Sequence, residues 1–158
     1  MAIVGFEFTK INVQRKDVAK GKINISNNVA LVDIRKSDLN LGATKQTAIK
    51  FLFEYRSIYE PDFAKIELGG TITFLTDEKN AKEILTGWEK EKKIKKDVAE
   101  KIINAILTKS NIQSILLSNT VNLPPPVPMP KVTIAQGPKE MPGAKKDGKK
   151  EEQKNLKN

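Results

Sequence analysis

The sequence predicts an α+β chain, a four-stranded antiparallel sheet with two helices packed on one face. Three observations carry that expectation. Apolar and polar residues alternate with a period of two through most of residues 3–75, the pattern of strands wet on one side only. At Thr76 the apolar period changes to that of an amphipathic helix. The strands are all spent before the helices begin, an order that belongs to α+β chains and not to repeated βαβ units.

The first strand places Phe6 and Phe8 between Glu7 and Thr9, and then its apolar phase slips by one to Ile11 and Val13. Such a slip predicts a β-bulge near Thr9-Lys10. Asp17 to Gly21 reads as a polar turn. Ile23 and Ile25 resume the alternation, Asn27-Asn28 interrupts it, and Val29 to Ile34 reads as a more deeply buried continuation. A connecting segment from Arg35 to Gln46 contains Gly42. The third strand carries Ile49, Phe51, Phe53 and Tyr55 on one side and Lys50, Glu54 and Arg56 on the other. Glu60-Pro61-Asp62 supplies a turn. Ala64, Ile66, Leu68, Gly70, Ile72 and Phe74 then hold one parity, with Gly69-Gly70 allowing a bend midway.

Thr76 or Asp77 is suited to cap a first helix, in which Ala81, Ile84, Leu85 and Trp88 fall at i, i+3, i+4 and i+7. Continued far enough, that helix would pair Glu89 with Lys93 and Glu91 with Lys95. A second helix starts near Asp97 with Val98, Ile102, Ile103, Ile106 and Leu107 inward. Ile112, Ile115, Leu116 and Leu117 extend its apolar face after an expected kink at Ser110-Asn111. Pro124 to Pro126 ends regular structure, and Pro128 and Pro130 keep the chain extended. The domain is expected to occupy residues 1–132. Residues 133–158, rich in Lys, Gly and Pro, are expected to form a disordered tail, because they cannot bury enough surface to offset their ordering entropy.

Hydrophobic residues make up 39% of the 158 positions, enough for a core, while aromatics contribute only 6%. The chain has no cysteine and no histidine. Their absence removes disulfides, thiolate nucleophiles, Ser-His-Asp triads and His- or Cys-based metal sites. No carboxylate pair stands out by spacing, so no enzyme activity, cofactor or metal is expected. The formal charge is +9, and it is spread: residues 1–132 carry 21 basic and 15 acidic side chains, residues 133–158 seven and four. A basic balance of this kind attracts nucleic acid, anionic surfaces or acidic partners. The start of the chain lacks the basic residues of a signal peptide, and no apolar run is long enough to span a bilayer. A cytoplasmic protein without membrane insertion is expected.

Several motifs have two readings. The cluster Lys90, Lys92, Lys93, Lys95 and Lys96 suits phosphate, yet Glu89, Glu91 and Asp97 interleave with it as on a solvated helix end. Phe51, Phe53 and Tyr55 suit base stacking, or the core between sheet and helices. Gly69-Gly70 lacks the following Lys-Ser/Thr helix of a phosphate loop. Asn24-Ile25-Ser26 matches a glycosylation site that a cytoplasmic chain would not use. Trp88, the single tryptophan, reads as core or as the lining of a groove or subunit contact. The run Asn122 to Pro130 is a ligand for a proline-reading partner or a strap laid over its own domain, and Leu123, Val127 and Met129 favour the strap.

With these elements in place, the chain resembles the SecB-type chaperones. Phe8 to Val13 is similar to the family's opening strand, Thr47 to Leu75 to its central hairpin with Gly-Gly and Thr71-Ile72-Thr73-Phe74, and Ile102 to Pro125 to its long helix with Asn122-Leu123-Pro124-Pro125. The proline run resembles the divergent SecB-like proteins of archaea and some bacteria more closely still. The resemblance covers residues 3–132. It implies a homotetramer, a dimer of dimers, that holds unfolded or preprotein polypeptides in apolar grooves without ATP, in protein export or for one dedicated client such as an antitoxin. On this reading the sheet–helix groove of Phe51, Phe53, Tyr55, Phe74, Trp88, Leu117 and Leu123 binds the client. The family's sheet docks the motor SecA through carboxylates; the mixed set Glu54, Lys65 and Glu67 and the basic charge argue against that partner here. The rival class is a basic RNA- or ribosome-binding module.

Overall fold

The computed structural model describes residues 1–18, 21–39 and 42–128. The expected tail at 133–158, the boundary at 132, and Met129 and Pro130 lie outside them. Within them the order is β1 (Ala2–Arg15), β2 (Asn24–Lys36), β3 (Gln46–Glu60), β4 (Ala64–Asp77), α1 (Glu78–Glu91) and α2 (Lys96–Thr120). The strands form one sheet in the order β1-β4-β3-β2, every neighbouring pair antiparallel. Both helices pack on the face that carries Phe51, Phe53, Ile72 and Phe74, so the α+β architecture is as the sequence predicts.

The slip in β1 is a bulge. Phe8 pairs with Gly70 and Lys10 with Gly69, leaving Thr9 as the extra residue. Two further insertions, at Val4 in β1 and Val32 in β2, follow the same rule. The one in β2 corrects the sequence reading. Strand β2 runs unbroken through Asn27-Asn28 and lies at the sheet edge, where Ile34 alone among its residues is fully buried. Its apolar run from Val29 to Val32 is not buried on both faces: Val29, Leu31 and, past the bulge and Asp33, Ile34 face inward, while Ala30 and Val32 are exposed.

Asp77 caps α1 by accepting from the Asn80 amide at 2.8 Å. The helix stops at Glu91 because Lys92 adopts a left-handed conformation, φ 54°. Lys93 and Lys95 therefore leave the helical register, the expected Glu89–Lys93 and Glu91–Lys95 spacing is lost, and Lys95 pairs with Glu83 instead.

Helix α2 is continuous, with no break at Ser110-Asn111. Its inward row begins with Val98, Ile102 and Ile106 and then changes character to Ser110, Ser114 and Ser118, each no more than 1% exposed. The large rings of Tyr55 and Tyr59 fill the space beneath this half of the helix, so the helix meets them with small side chains. Ile112 and Leu116, expected inside, are 57% and 58% exposed. Two apolar clusters result. One lies under α1 and the first half of α2; the other gathers Tyr55, Tyr59, Phe63, Ile66, Leu68 and Leu123 at the far end of the sheet.

Candidate functional site

The far end of the sheet is where the chain leaves α2 and returns across its own strands. Asn122 takes a left-handed conformation, φ 54°, and the Leu123 amide donates to the Ser118 carbonyl at 2.8 Å, the six-to-one bond of a Schellman helix end. That geometry turns residues 123–128 over the second cluster. Leu123 and Pro126 are buried, Val127 is half-buried, and Pro124 and Pro125 are exposed. Met129 apart, which lies outside the described residues, the strap reading of the proline run is the one realised.

Three strands hold this strap by side chains at inward positions. Arg15 of β1 donates to the carbonyls of Val121 and Asn122 at 2.7 and 3.3 Å. Tyr59 of β3 donates to Pro124 O at 2.6 Å. Asn27 of β2 donates to Pro126 O at 2.8 Å. Arg15 and Tyr59 lie in register on either side of Ala64, and Asn27 pairs with Ser57. The strap thus crosses the sheet from one edge strand to the other. Its partners are themselves fixed. Ser57 Oγ donates to Asn27 Oδ1 at 2.7 Å or to the Tyr55 hydroxyl at 3.2 Å, and Tyr55 reaches Asn111 of α2 at 3.2 Å. The Arg15 guanidinium also sits 5.6 Å from the centre of the Phe63 ring. Burial, helped by the neighbouring Tyr55, pushes the Tyr59 phenol up to about 12, so it remains a donor throughout the neutral range.

The seven residues expected to line one groove divide between the two clusters. Phe51, Phe53 and Phe74 are at most 2% exposed in the first, with the Phe51 and Phe74 rings edge-on at 5.9 Å and Phe53 against Phe6 at 5.2 Å. Trp88 is half-buried on the same cluster, with the Lys92 ammonium 5.1 Å from its ring centre and its indole Nε1 enclosed without a partner. Tyr55, Leu117 and Leu123 belong to the second cluster, where Leu117 is half-buried. Of the seven, Trp88 and Leu117 keep substantial exposed surface; the inner aromatics are sealed between sheet and helices.

Sequence reasoning missed Arg15, Asn27, Ser57 and Tyr59. The signal was present, since all four share parity with apolar neighbours on their strands. Polar groups at inward positions near one end of a sheet point to a polar segment they must satisfy.

The opposite sheet face is charged and mixed. Glu67 stands among Lys10 and Lys65, each at 3.5 Å, and Arg56 at 3.9 Å, and accepts from Asn12 at 3.3 Å. Partial burial works against its carboxylate, but Asn12, Lys65 and Lys10 outweigh it and hold the carboxyl below the usual glutamate range. Glu54 is bridged by Arg56 at 3.3 Å. Beside Arg15, a cleft of about 660 Å³ is lined by Val13, Lys16, Ile58, Asp62 and Phe63 among others, with Lys16 paired to Asp62. Among the described residues there is no cluster of three or more metal-ligating side chains, and no helix is long and apolar enough to cross a membrane.

A four-stranded antiparallel sheet in the order β1-β4-β3-β2 with two helices on one face is a SecB-like α+β fold. A solved structure with this fold is the Mycobacterium tuberculosis Rv1957 SecB-like chaperone in complex with a ChAD peptide from Rv1956 HigA1 antitoxin. The two are similar with a TM-score of 0.50 at 11% sequence identity, over 84% of this chain and 89% of that one. No protein-family model matches the chain, and no curated protein matches it by sequence.

Proposed function

We propose that this protein is a chaperone without enzyme activity, an ATP-independent holdase that captures unfolded polypeptide and works as a homo-oligomer, a dimer of dimers, in the cytoplasm. The observation that carries the reading is the inverted face of α2. A helix that turns Ser110, Ser114 and Ser118 to its own sheet and leaves Ile112 and Leu116 outside has apolar surface to cover, since such exposure marks association sites. Val4 and Ile11 on the β1 edge, each 52% exposed, add a second apolar contact, and two contacts of different kinds suit a dimer of dimers. Client capture falls to Trp88 and Leu117, the members of the expected groove that keep accessible surface, while Leu123 is buried where the strap is seated. The inner aromatics support that surface from beneath.

The fold shared with a chaperone that carries an antitoxin peptide supports polypeptide as the ligand, and a single dedicated client as one form of it. Export through SecA finds little support, because Glu54 and Glu67 are neutralised by Arg56, Lys10 and Lys65. The RNA-binding alternative loses its stacking platform, as Phe51 and Phe53 are buried.

The test is suppression of aggregation of a chemically unfolded, neutral client at low and high salt. Near-stoichiometric suppression that survives high salt supports apolar capture. Suppression that vanishes with salt would point to charge-driven association, as in nucleic-acid binding. Light scattering decides the assembly, with a mass four times the 17.6 kDa chain expected.

A further inference from the structure

We propose that the seat of the strap is itself a client-binding site, filled in cis by residues 123–127 and vacated when an extended apolar segment of an unfolded polypeptide displaces them. The inference rests on the chaperone reading and adds to it the place and the occupancy.

The contacts are those of a site that tolerates many sequences. Arg15, Tyr59 and Asn27 donate to main-chain carbonyls of the strap or its root and touch no polar side chain there. Any polypeptide in an extended conformation presents such carbonyls. The donors come from three different strands, and Asn27 is oriented by Ser57, so the row exists before a ligand arrives and costs little to organise. Apolar anchoring comes from Leu123 and Pro126 over the Tyr55–Tyr59 cluster, a demand that many apolar side chains meet.

The strap is also a weak occupant by composition. Pro124, Pro125 and Pro126 have no amide hydrogen, so through this stretch the strap accepts hydrogen bonds and donates none. A client with ordinary residues in the same track brings the amide donors that the strap lacks. Proline stiffness lowers the entropy lost by the strap on seating, and the tether to α2 gives it an effective concentration on the order of millimolar. The consequence is a threshold. Short or polar segments do not displace the strap, whereas long apolar clients that engage several surfaces at once do.

The experiment uses the full chain, with reduced and carboxymethylated α-lactalbumin as a permanently unfolded probe. Methyl NMR signals of Leu123 and Val127 are followed during titration, and probe affinity is measured for the parent and for L123S/V127S, which loosens the strap and keeps the donors. Release of the strap methyls at saturation is expected, with binding to the loosened variant tighter by about tenfold. Adding N27A and Y59F to that variant is expected to remove the gain. Probe binding with unmoved strap signals and unchanged affinity in the variant overturns the proposal and leaves the chaperone reading standing. No binding by the parent or by any variant overturns both. If the loosened variant does not fold, the methyl titration of the parent alone decides.

Discussion

The backbone of Glu7 passes over Gly70 so closely that a Cβ built on the glycine would lie 2.0 Å from the Glu7 carbonyl oxygen and 3.0 Å from the ring of Phe53. Gly70 pairs with Phe8 immediately beside the bulged Thr9, so the glycine in β4 and the inserted residue in β1 are two halves of one bend. Gly70→Ala forces backbone against backbone and is expected to destabilise the chain by about 3 kcal/mol. At Gly69 the added atom meets Lys10 Cβ at 3.3 Å, which a small shift relieves, and Gly69→Ala is expected to cost about 1 kcal/mol or less. Urea unfolding of the two variants checks the ranking. Equal costs would mean that the bulge can relax around either position.

The serine row of α2 makes an opposite pair of expectations. Ser114 is fully buried and lies 3.5 Å from the Tyr55 hydroxyl, so Ser114→Leu has no room and is expected to cost about 2–3 kcal/mol. Ile112→Ser with Leu116→Ser removes apolar groups from the outside and is expected to leave the stability of the single chain within about 0.5 kcal/mol. The same pair is expected to lower the mass in light scattering if α2 forms the contact between dimers. A double variant that keeps its assembly would move that contact to another face.

How far these features were legible in the sequence depends on which force set them. The sheet, both helices and the Thr9 bulge follow from apolar periodicity, because Phe6, Phe8, Ile11 and Val13 record in their spacing which side is buried. The edge position of β2 was not legible. A bulge at Val32 and burial on both faces produce the same apolar run from Val29 to Val32, and pairing partners alone distinguish them. Helix α2 misled for a related reason. Period and hydropathy placed Ile112 and Leu116 inside, while the volume of Tyr55 and Tyr59 on another element decided for serine. The candidate site divided in the same way: its apolar members were readable by type, whereas the donors Arg15, Asn27 and Tyr59 acquire meaning once the strap lies over them.

Glu67 predicts an acid limb of stability. Its carboxyl titrates below the ordinary glutamate value in the folded chain, so as pH falls the unfolded chain takes up this proton first. The stabilisation is complete above the unfolded value, near 4.5, and is lost as pH falls through the folded one. Because the basic partners of Glu67 are 40–52% exposed and screened by water, the whole effect is expected to stay at about 1 kcal/mol or below. Glu67→Gln should flatten the acid slope of a stability profile without changing its neutral plateau by more than that amount. A parallel downward shift at every pH would show that Gln fails to keep the Asn12 contact.

Tyr59 predicts an alkaline limb tied to the strap. Its phenol titrates at about 12 in the folded chain against the ordinary tyrosine value of 10.0, and only the neutral form donates to Pro124 O. Above pH 10 the unfolded chain therefore loses this proton first, and the stabilisation, complete below that value, is lost as pH rises through about 12. Tyr59→Phe removes the donor and leaves the Pro124 carbonyl to water, since Pro124 itself is exposed. The expected neutral-pH cost is accordingly that of one net hydrogen bond, about 1 kcal/mol. The difference in near-ultraviolet absorbance between the parent and Tyr59→Phe, recorded as pH rises, should show a single phenol with a midpoint near 12. A midpoint close to 10 would mean that the phenol is already open to water, and that the Pro124 bond does not persist in solution.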